Sequence, residues 1–248
     1  MSESKSNRSV VVFGATGGGG SQLARELAAQ GSRLFLSGRN EEKLRRLADE
    51  LQAGCQPADA TDSAQVRAVF AAALRHLESI DGVVSCVGSL LLKPATRTTD
   101  NEWFDTINTH LSSAFYVLRE AAGALAARGG AIVLLSSAAA RHGFANHEAI
   151  AAAKAGIIGL TLSAAATYAR QKIRVNCVAP GLTRTPLTAG ITGNETMLKN
   201  SAAMHALGRV DEPEEVAAAI RFLLEQEWIT GQVLGVDGGL SSVFVRTL

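Results

Sequence analysis

The chain has 248 residues, 47% of them hydrophobic and 19% charged, with a formal net charge of +1 at pH 7. That balance excludes a disordered chain and gives no electrostatic reason to expect nucleic acid or an acidic membrane surface as a partner. Three scattered cysteines, Cys55, Cys86 and Cys177, have no metal-ligand spacing and lie in apolar stretches, so they read as buried free thiols in a reducing compartment, with no metal.

In chain order, the polar start through Ser9 is expected to fray. VVVF at 10–13 is a short apolar run, far below the length of a signal-peptide core or a membrane span. The protein is therefore expected to be soluble and cytoplasmic. A glycine-rich turn and a helix over 21–31 follow, then RLFLS (33–37) as a strand and helices at 40–51 and 62–77. Further strands are DGVVSCV (81–87), AIVLLS (131–136), IRVNCV (173–178) and QVLGV (232–236), separated by helices at 101–129, 148–170 and 212–226.

The strands are apolar on both faces, as in parallel strands covered by helices on each side. Strand–helix alternation points to an α/β fold with one doubly wound parallel sheet, Rossmann-like, and right-handed crossovers. No linker or composition shift divides residues 1–248, so a single dinucleotide-binding domain is expected. Residues 183–208 are too polar and too long for a simple connection, and read as an irregular, mobile substrate lid.

Glycines stand at 14, 17, 18, 19 and 20, directly after a strand and at the start of a helix. A pyrophosphate needs that context, because it must approach bare backbone N–H groups at a helix N-terminus. The second strand ends Ser37-Gly38-Arg39, where an NAD-binding chain presents Asp or Glu to the ribose 2′-hydroxyl. Arg39 suits a 2′-phosphate instead, while Glu41 and Glu42 read as first-turn helix residues. NADP is the expected cofactor.

These residues make the chain similar to the short-chain dehydrogenases/reductases from about residue 10 to residue 241. GATGGGG, with Thr16 in it, resembles the family's glycine-rich turn. Asp59 in PADATD matches the acidic residue that contacts adenine, and VDGG at 236–239 matches the close of the last strand. VAPGLTRTP at 178–186 resembles the nicotinamide-side loop. By that match Pro180, Gly181, Thr183 and Thr185 hold the carboxamide side of the cofactor. The family's Asn-Asn-Ala-Gly falls on Ser85-Cys86-Val87-Gly88, leaving Val87 and Gly88 as backbone contacts.

The same resemblance implies a catalytic serine at Ser137, with Ser136 as the other register. It implies a ribose-binding lysine at Lys154 and a helix-paired homotetramer. Its catalytic asparagine falls on His110, and its proton-donating tyrosine falls on Ile150, which has no proton to give. Reduction of a carbonyl needs a hydride and a proton for the developing alkoxide. His147, one turn before Ile150, is the replacement donor expected from the residues, with Asn146 as the helix N-cap and Glu148 in its first turn. A neutral imidazole there could donate a hydrogen bond to the carbonyl oxygen. His110 is a second candidate, as part of a proton relay.

The expected activity is NADP-dependent hydride transfer to or from a carbonyl or alcohol. A nucleotide-binding protein without turnover and a non-redox lyase or isomerase are the alternatives. Leu187, Ile191, Met197, Leu198, Met204 and Leu207 in the lid point to an apolar small-molecule substrate.

Overall fold

The computed structural model describes residues 8–244, so most of the segment expected to fray lies outside the described residues. In β1 (Ser9–Phe13) every residue is buried, and alternate side chains enter two different cores. Val11 and Phe13 pack with Phe70 and Ile157 on one face. Val10 and Val12 pack with Leu23, Leu27 and Ile220 on the other. A strand with period-two geometry can be apolar throughout only when both its faces are covered. Each such side chain contributes roughly 1.5–3 kcal/mol relative to exposure.

Around β1 lie β2 (Arg33–Gly38), β3 (Gly54–Pro57), β4 (Gly82–Ser85), β5 (Gly130–Leu135), β6 (Ile173–Pro180) and β7 (Val233–Val236). The order across the sheet is β3-β2-β1-β4-β5-β6-β7, and all pairings are parallel. Chain order runs outward in one direction from β1 to β3 and in the other from β4 to β7. The reversal opens a crevice at the carboxyl ends of β1 and β4, where Phe13 pairs with Ser85. Helices α1 (Gly18–Ala29), α2 (Glu41–Leu51) and α3 (Ser63–Leu77) follow the first three strands. Asn40 and Asp62 cap the last two, accepting from Lys43 N at 2.9 Å and Ala64 N at 2.8 Å.

Four departures from the sequence reading have local causes. β3, with the sequence GCQP, is an additional strand; it is a half-buried sheet edge containing Gly and Pro, so it carries no periodic signal. The helix expected over 101–129 divides into α4 (Asp100–Ile107), a π-helical turn (Asn108–Ser112) and α5 (Ser113–Leu125). The turn is centred on His110, and such bulges often mark functional positions. Next, α6 (Glu148–Tyr168) has His147, not Asn146, at its N-cap position. Asn146 instead takes a left-handed conformation, φ 64°, and its carbonyl accepts from Lys93 N at 2.7 Å.

Finally, residues 183–208 are not irregular. They contain a 3₁₀ turn (Pro186–Thr188), α7 (Ala189–Thr192) and α8 (Glu195–Met204), the last capped by Asn194. Helix α9 (Pro213–Glu225) and β7 complete the fold. By length and composition α6 is apolar enough to cross a membrane, but here it packs on β5 and β6.

Candidate active site

The crevice between β1 and β4 is lined by Gly14, Thr16, Gly17, Arg39, Asp59, Val87, Gly88 and Thr109 among others. Here the glycines have separate reasons. Gly14 has φ +70°, and a Cβ on it would lie 2.7 Å from the Cys86 carbonyl carbon, so the turn closes directly on the strand β4 exit. A Cβ on Gly20 would lie 2.3 Å from Gly14 O, which keeps α1 seated under the turn. Gly18 meets Thr185, with a Cβ 2.7 Å from its Cγ2, so the segment after β6 reaches across the glycine-rich turn. Gly19 faces open space. The result is a bare backbone cradle at a helix N-terminus, the geometry that suits a pyrophosphate.

At the far end of the crevice Arg39 is exposed and has no hydrogen bond or ion pair among the described residues. Glu41 and Glu42 are turned along α2, paired with Arg45 at 2.5 Å and with Arg46, so neither neutralises Arg39. Ser37, which sequence reasoning passed over as merely small, also lines this crevice. Its hydroxyl is buried without a partner among the described residues, and an orphaned donor costs free energy until an acceptor arrives. Asp59 is held by its own loop, accepting from Thr61 N at 2.9 Å and Thr61 Oγ1 at 2.8 Å. Bare cradle, free guanidinium and orphaned hydroxyl together fit a phosphorylated dinucleotide.

A second cavity of about 500 Å³ opens at the carboxyl ends of β5 and β6. Ser137, His147, Ile150, Gly181 and Leu182 line it, with Ile191, Met197 and Met204 of the 183–208 segment. Leu198 instead faces a separate cleft on the other side of α8, while Leu187 and Leu207 are exposed and outside the cavity lining. Ser137 Oγ accepts from Ala139 N at 3.1 Å, which orients the oxygen and leaves its own proton free. Ser136, the other register, is buried and donates to Lys154 O at 2.8 Å, so it is spent on the fold.

His147 Nδ1 lies 2.7 Å from Ala145 O. A carbonyl can only accept, so Nδ1 carries a proton and the neutral ring presents Nε2 as an acceptor. The expectation that a neutral imidazole donates to the substrate is thereby corrected: Nε2 can donate only when the ring is an imidazolium. The ring packs at 5.5 Å against Phe144 at an interplanar angle of 53°, and Phe144 is itself 5.0 Å from His142.

Lys154 lies one turn beyond Ile150 but lines neither the crevice nor the cavity. It is buried, and Nζ donates to Leu135 O at 2.7 Å. Burial pushes its pKa down to about 8, although the Cys177 and Cys86 thiols partly oppose this. Burial also raises those thiols, to about 11 and about 12.

His110 is 2% exposed. Its Nε2 lies 3.3 Å from Ser89 N, which must donate, and 3.1 Å from Ser89 Oγ. The ring proton of the neutral form therefore sits on Nδ1, which is buried and has no partner among the described residues. Burial, and secondarily the Lys154 ammonium, push the pKa of His110 down to about 3. A ring held neutral so firmly is a fixed donor, and the proton-exchanging role expected for His110 finds no support in its surroundings.

Around β6, Gly181 N donates to Val236 O at 2.9 Å and Pro180 ends the strand. Thr183 Oγ1 donates to Asp211 Oδ2 at 3.1 Å. Burial raises the pKa of Asp211 to about 7, and the neighbouring Glu215 adds to that. His205, assigned nothing from sequence, lines the cavity; Nδ1 donates to Ser201 O at 2.7 Å and Nε2 accepts from Leu182 N at 3.4 Å. Its role is to tie α8 to the strand exit, a long-range contact that no local motif announces.

Residues 14–241 match the family model described as enoyl-(acyl carrier protein) reductase. The chain is 37% identical to a cis-4-hydroxycyclohexanecarboxylate dehydrogenase of Sinomonas cyclohexanicum, over 98% of this chain and 100% of that protein. A short-chain type dehydrogenase/reductase from Mycobacterium ulcerans superposes with a TM-score of 0.91 at 31% identity, covering 95% of this chain and 90% of that one. An actinorhodin polyketide ketoreductase with NADPH gives 0.91 at 28% identity, covering 97% and 99%. With the parallel sheet, the glycine cradle and these likenesses in agreement, the chain belongs to the short-chain dehydrogenase/reductase family of oxidoreductases.

Proposed function

We propose that the protein is an NADP-dependent oxidoreductase that moves a hydride between the nicotinamide and a carbonyl or alcohol, using a proton donor other than tyrosine. The observation that carries this reading is the shared cavity of Ser137 and His147 beside Ile150. A hydroxyl with a free proton and a ring with an open Nε2 stand in one apolar chamber. When bound, the dinucleotide supplies or accepts the hydride. Gly14, Thr16, Gly17, Gly18, Gly19, Gly20, Val87 and Gly88 would hold its phosphates and backbone-facing edges, Arg39 and Ser37 its 2′-phosphate, and Asp59 its adenine. Pro180, Gly181, Thr183 and Thr185 would flank the carboxamide.

Ser137 polarises the carbonyl by donating to its oxygen. As imidazolium, His147 gives its Nε2 proton to the developing alkoxide; in the reverse direction the neutral Nε2 takes the proton from the alcohol. Ile150 acts as an apolar wall, lowering the local dielectric so that those hydrogen bonds strengthen. Lys154 works from behind that wall, where its charge helps to keep His110 neutral. Residues 183–208 form the lid of a single domain spanning 1–248.

A nucleotide-binding protein without turnover is the second reading. It is favoured by Ile150 in the position of the tyrosine and by the engagement of Lys154 with Leu135 O. Loss of NADPH absorbance against a panel of ketones, aldehydes and imines separates the two. His147→Ala is expected to lower kcat by about 10²–10⁴-fold with NADPH affinity nearly unchanged. Near-full activity in that variant rules His147 out as the donor. NADPH binding without consumption by any of the panel establishes the second reading.

A further inference from the structure

The cavity beside Ser137 has a charge pattern that its neighbourhood does not share. No Asp, Glu, Lys or Arg is among the described residues that line it. Across α8 lies a separate cleft bordered by Arg184, Arg209, Glu212 and Glu215. The helix divides the two by its periodicity. Met197, Asn200, Ser201 and Met204 face the uncharged cavity, while Leu198 and Ala202 face the charged cleft. Spacings of three and four residues put the first set on one face, so the lid helix presents only neutral groups to whatever occupies the chamber.

The polar capacity inside the cavity falls into two sets. The segments before α6 carry the free proton of Ser137 and Nε2 of His147. On α8, the side chains of Asn200 and Ser201 make no hydrogen bond among the described residues, and Asn200 is open to solvent. The remaining polar linings are committed. Thr188 Oγ1 donates to Thr183 O at 2.6 Å, and both nitrogens of His205 are used. The other walls are Leu, Ile, Met and Phe side chains, and the methionines give them adaptable shape.

We infer that the substrate is an uncharged, mainly apolar ketone of about one to two rings, or the matching alcohol. Its reacting oxygen lies at Ser137, and a second, neutral polar group reaches Asn200 and Ser201 on the solvent side of the lid helix. A carboxylate or phosphate seated among the apolar walls would lose water with no cation in the lining to receive it, an unfavourable exchange. This inference rests on the oxidoreductase reading for the placement of the carbonyl, but its charge rule concerns binding alone.

The test uses two compounds that differ only in charge, methyl 4-acetylbenzoate and 4-acetylbenzoate, at pH 8. With NADPH, kcat/KM for the ester is expected to exceed that for the carboxylate on the order of 100-fold. Calorimetric titration of the full-length protein in the presence of NADP⁺ should show the same ordering in affinity. Met204→Arg, which places a cation in the chamber, should narrow or reverse the ratio. Equal or better use of the carboxylate overturns the inference, as does the failure of the ester to bind. If the ester binds selectively and neither is reduced, the charge rule stands and the hydride-transfer reading falls.

Discussion

Lys154 costs the fold more than its contacts return, and Lys154→Met is expected to stabilise the protein. The side chain is 6% exposed, and its pKa falls from the ordinary 10.5 to about 8. At about 1.36 kcal/mol per pKa unit, that is an unfavourable contribution of about 3 kcal/mol while the lysine is charged. Methionine fills similar space but leaves Leu135 O, now bonded to Nζ at 2.7 Å, without a donor. That loss is worth about 1–3 kcal/mol. The net gain is about 1 kcal/mol, or roughly 2–4 °C in Tm for a chain of this length.

The pH dependence is the sharper test. Between pH 8 and 10.5 the unfolded chain binds more protons at this lysine than the folded one. Stability therefore rises with pH, with the full cost present below 8 and gone above 10.5. From pH 7 to 9.5 the wild type should gain about 2 kcal/mol relative to Lys154→Met. Cys86 and Cys177, held neutral at about 12 and about 11, push the other way because unfolding lets them ionise, but they do so in both proteins. His110 is neutral throughout this window. Urea unfolding of both proteins at the two pH values measures the difference. Parallel changes, or a variant destabilised by more than about 2 kcal/mol, would refute the reasoning.

Other outcomes are expected on the same grounds. Wild-type protein should bind NADPH more tightly than NADH, and Arg39→Asp should reverse the order; equal affinities in fluorescence titration would remove Arg39 from the site. His110, neutral when folded down to about pH 3, should make the protein lose stability as pH falls below its ordinary 6.5. Denaturation at pH 7 and 4.5 should show His110→Asn losing about 2–3 kcal/mol less than wild type, and an equal loss would show that the ring charges freely. Light scattering should give a homotetramer, because Trp103, Phe104, Phe115 and Leu162 expose apolar surface on α4, α5 and α6. A monomer mass at micromolar concentration contradicts this.

The parallel sheet was legible because its strands are apolar on both faces, a pattern that needs no partner information to read. Edge strand β3 was not, since a half-buried GCQP has neither alternation nor β-branched residues. The glycine cradle was visible from its position between a strand and a helix. The reason for each glycine, such as the contact of Gly18 with Thr185, joins residues far apart in sequence and appears only on folding. The spacing of His147 and Ile150 suggested a shared pocket, and both line one cavity, whereas the tautomer of His147 depends on Ala145 O and on an N-cap one residue later than expected. Ser37 and His205 were missed for the same reason. Their importance lies in what they do or do not meet across the chain, and a single sequence holds no record of that.

The arrangement around α6 also constrains how the proton can be handled. With Ile150 apolar and Lys154 bonded behind it, no acid on the helix reaches the cavity. In the proposed reaction the proton then comes from the loop before the helix or from water. On that loop His147 holds its Nδ1 proton against Ala145 O at 2.7 Å, which leaves Nε2 as the nitrogen able to exchange a proton in the cavity it shares with Ser137. Water is the other source, and the kcat of His147→Ala separates the two: a large loss assigns the proton to the ring, and an unchanged rate assigns it to water.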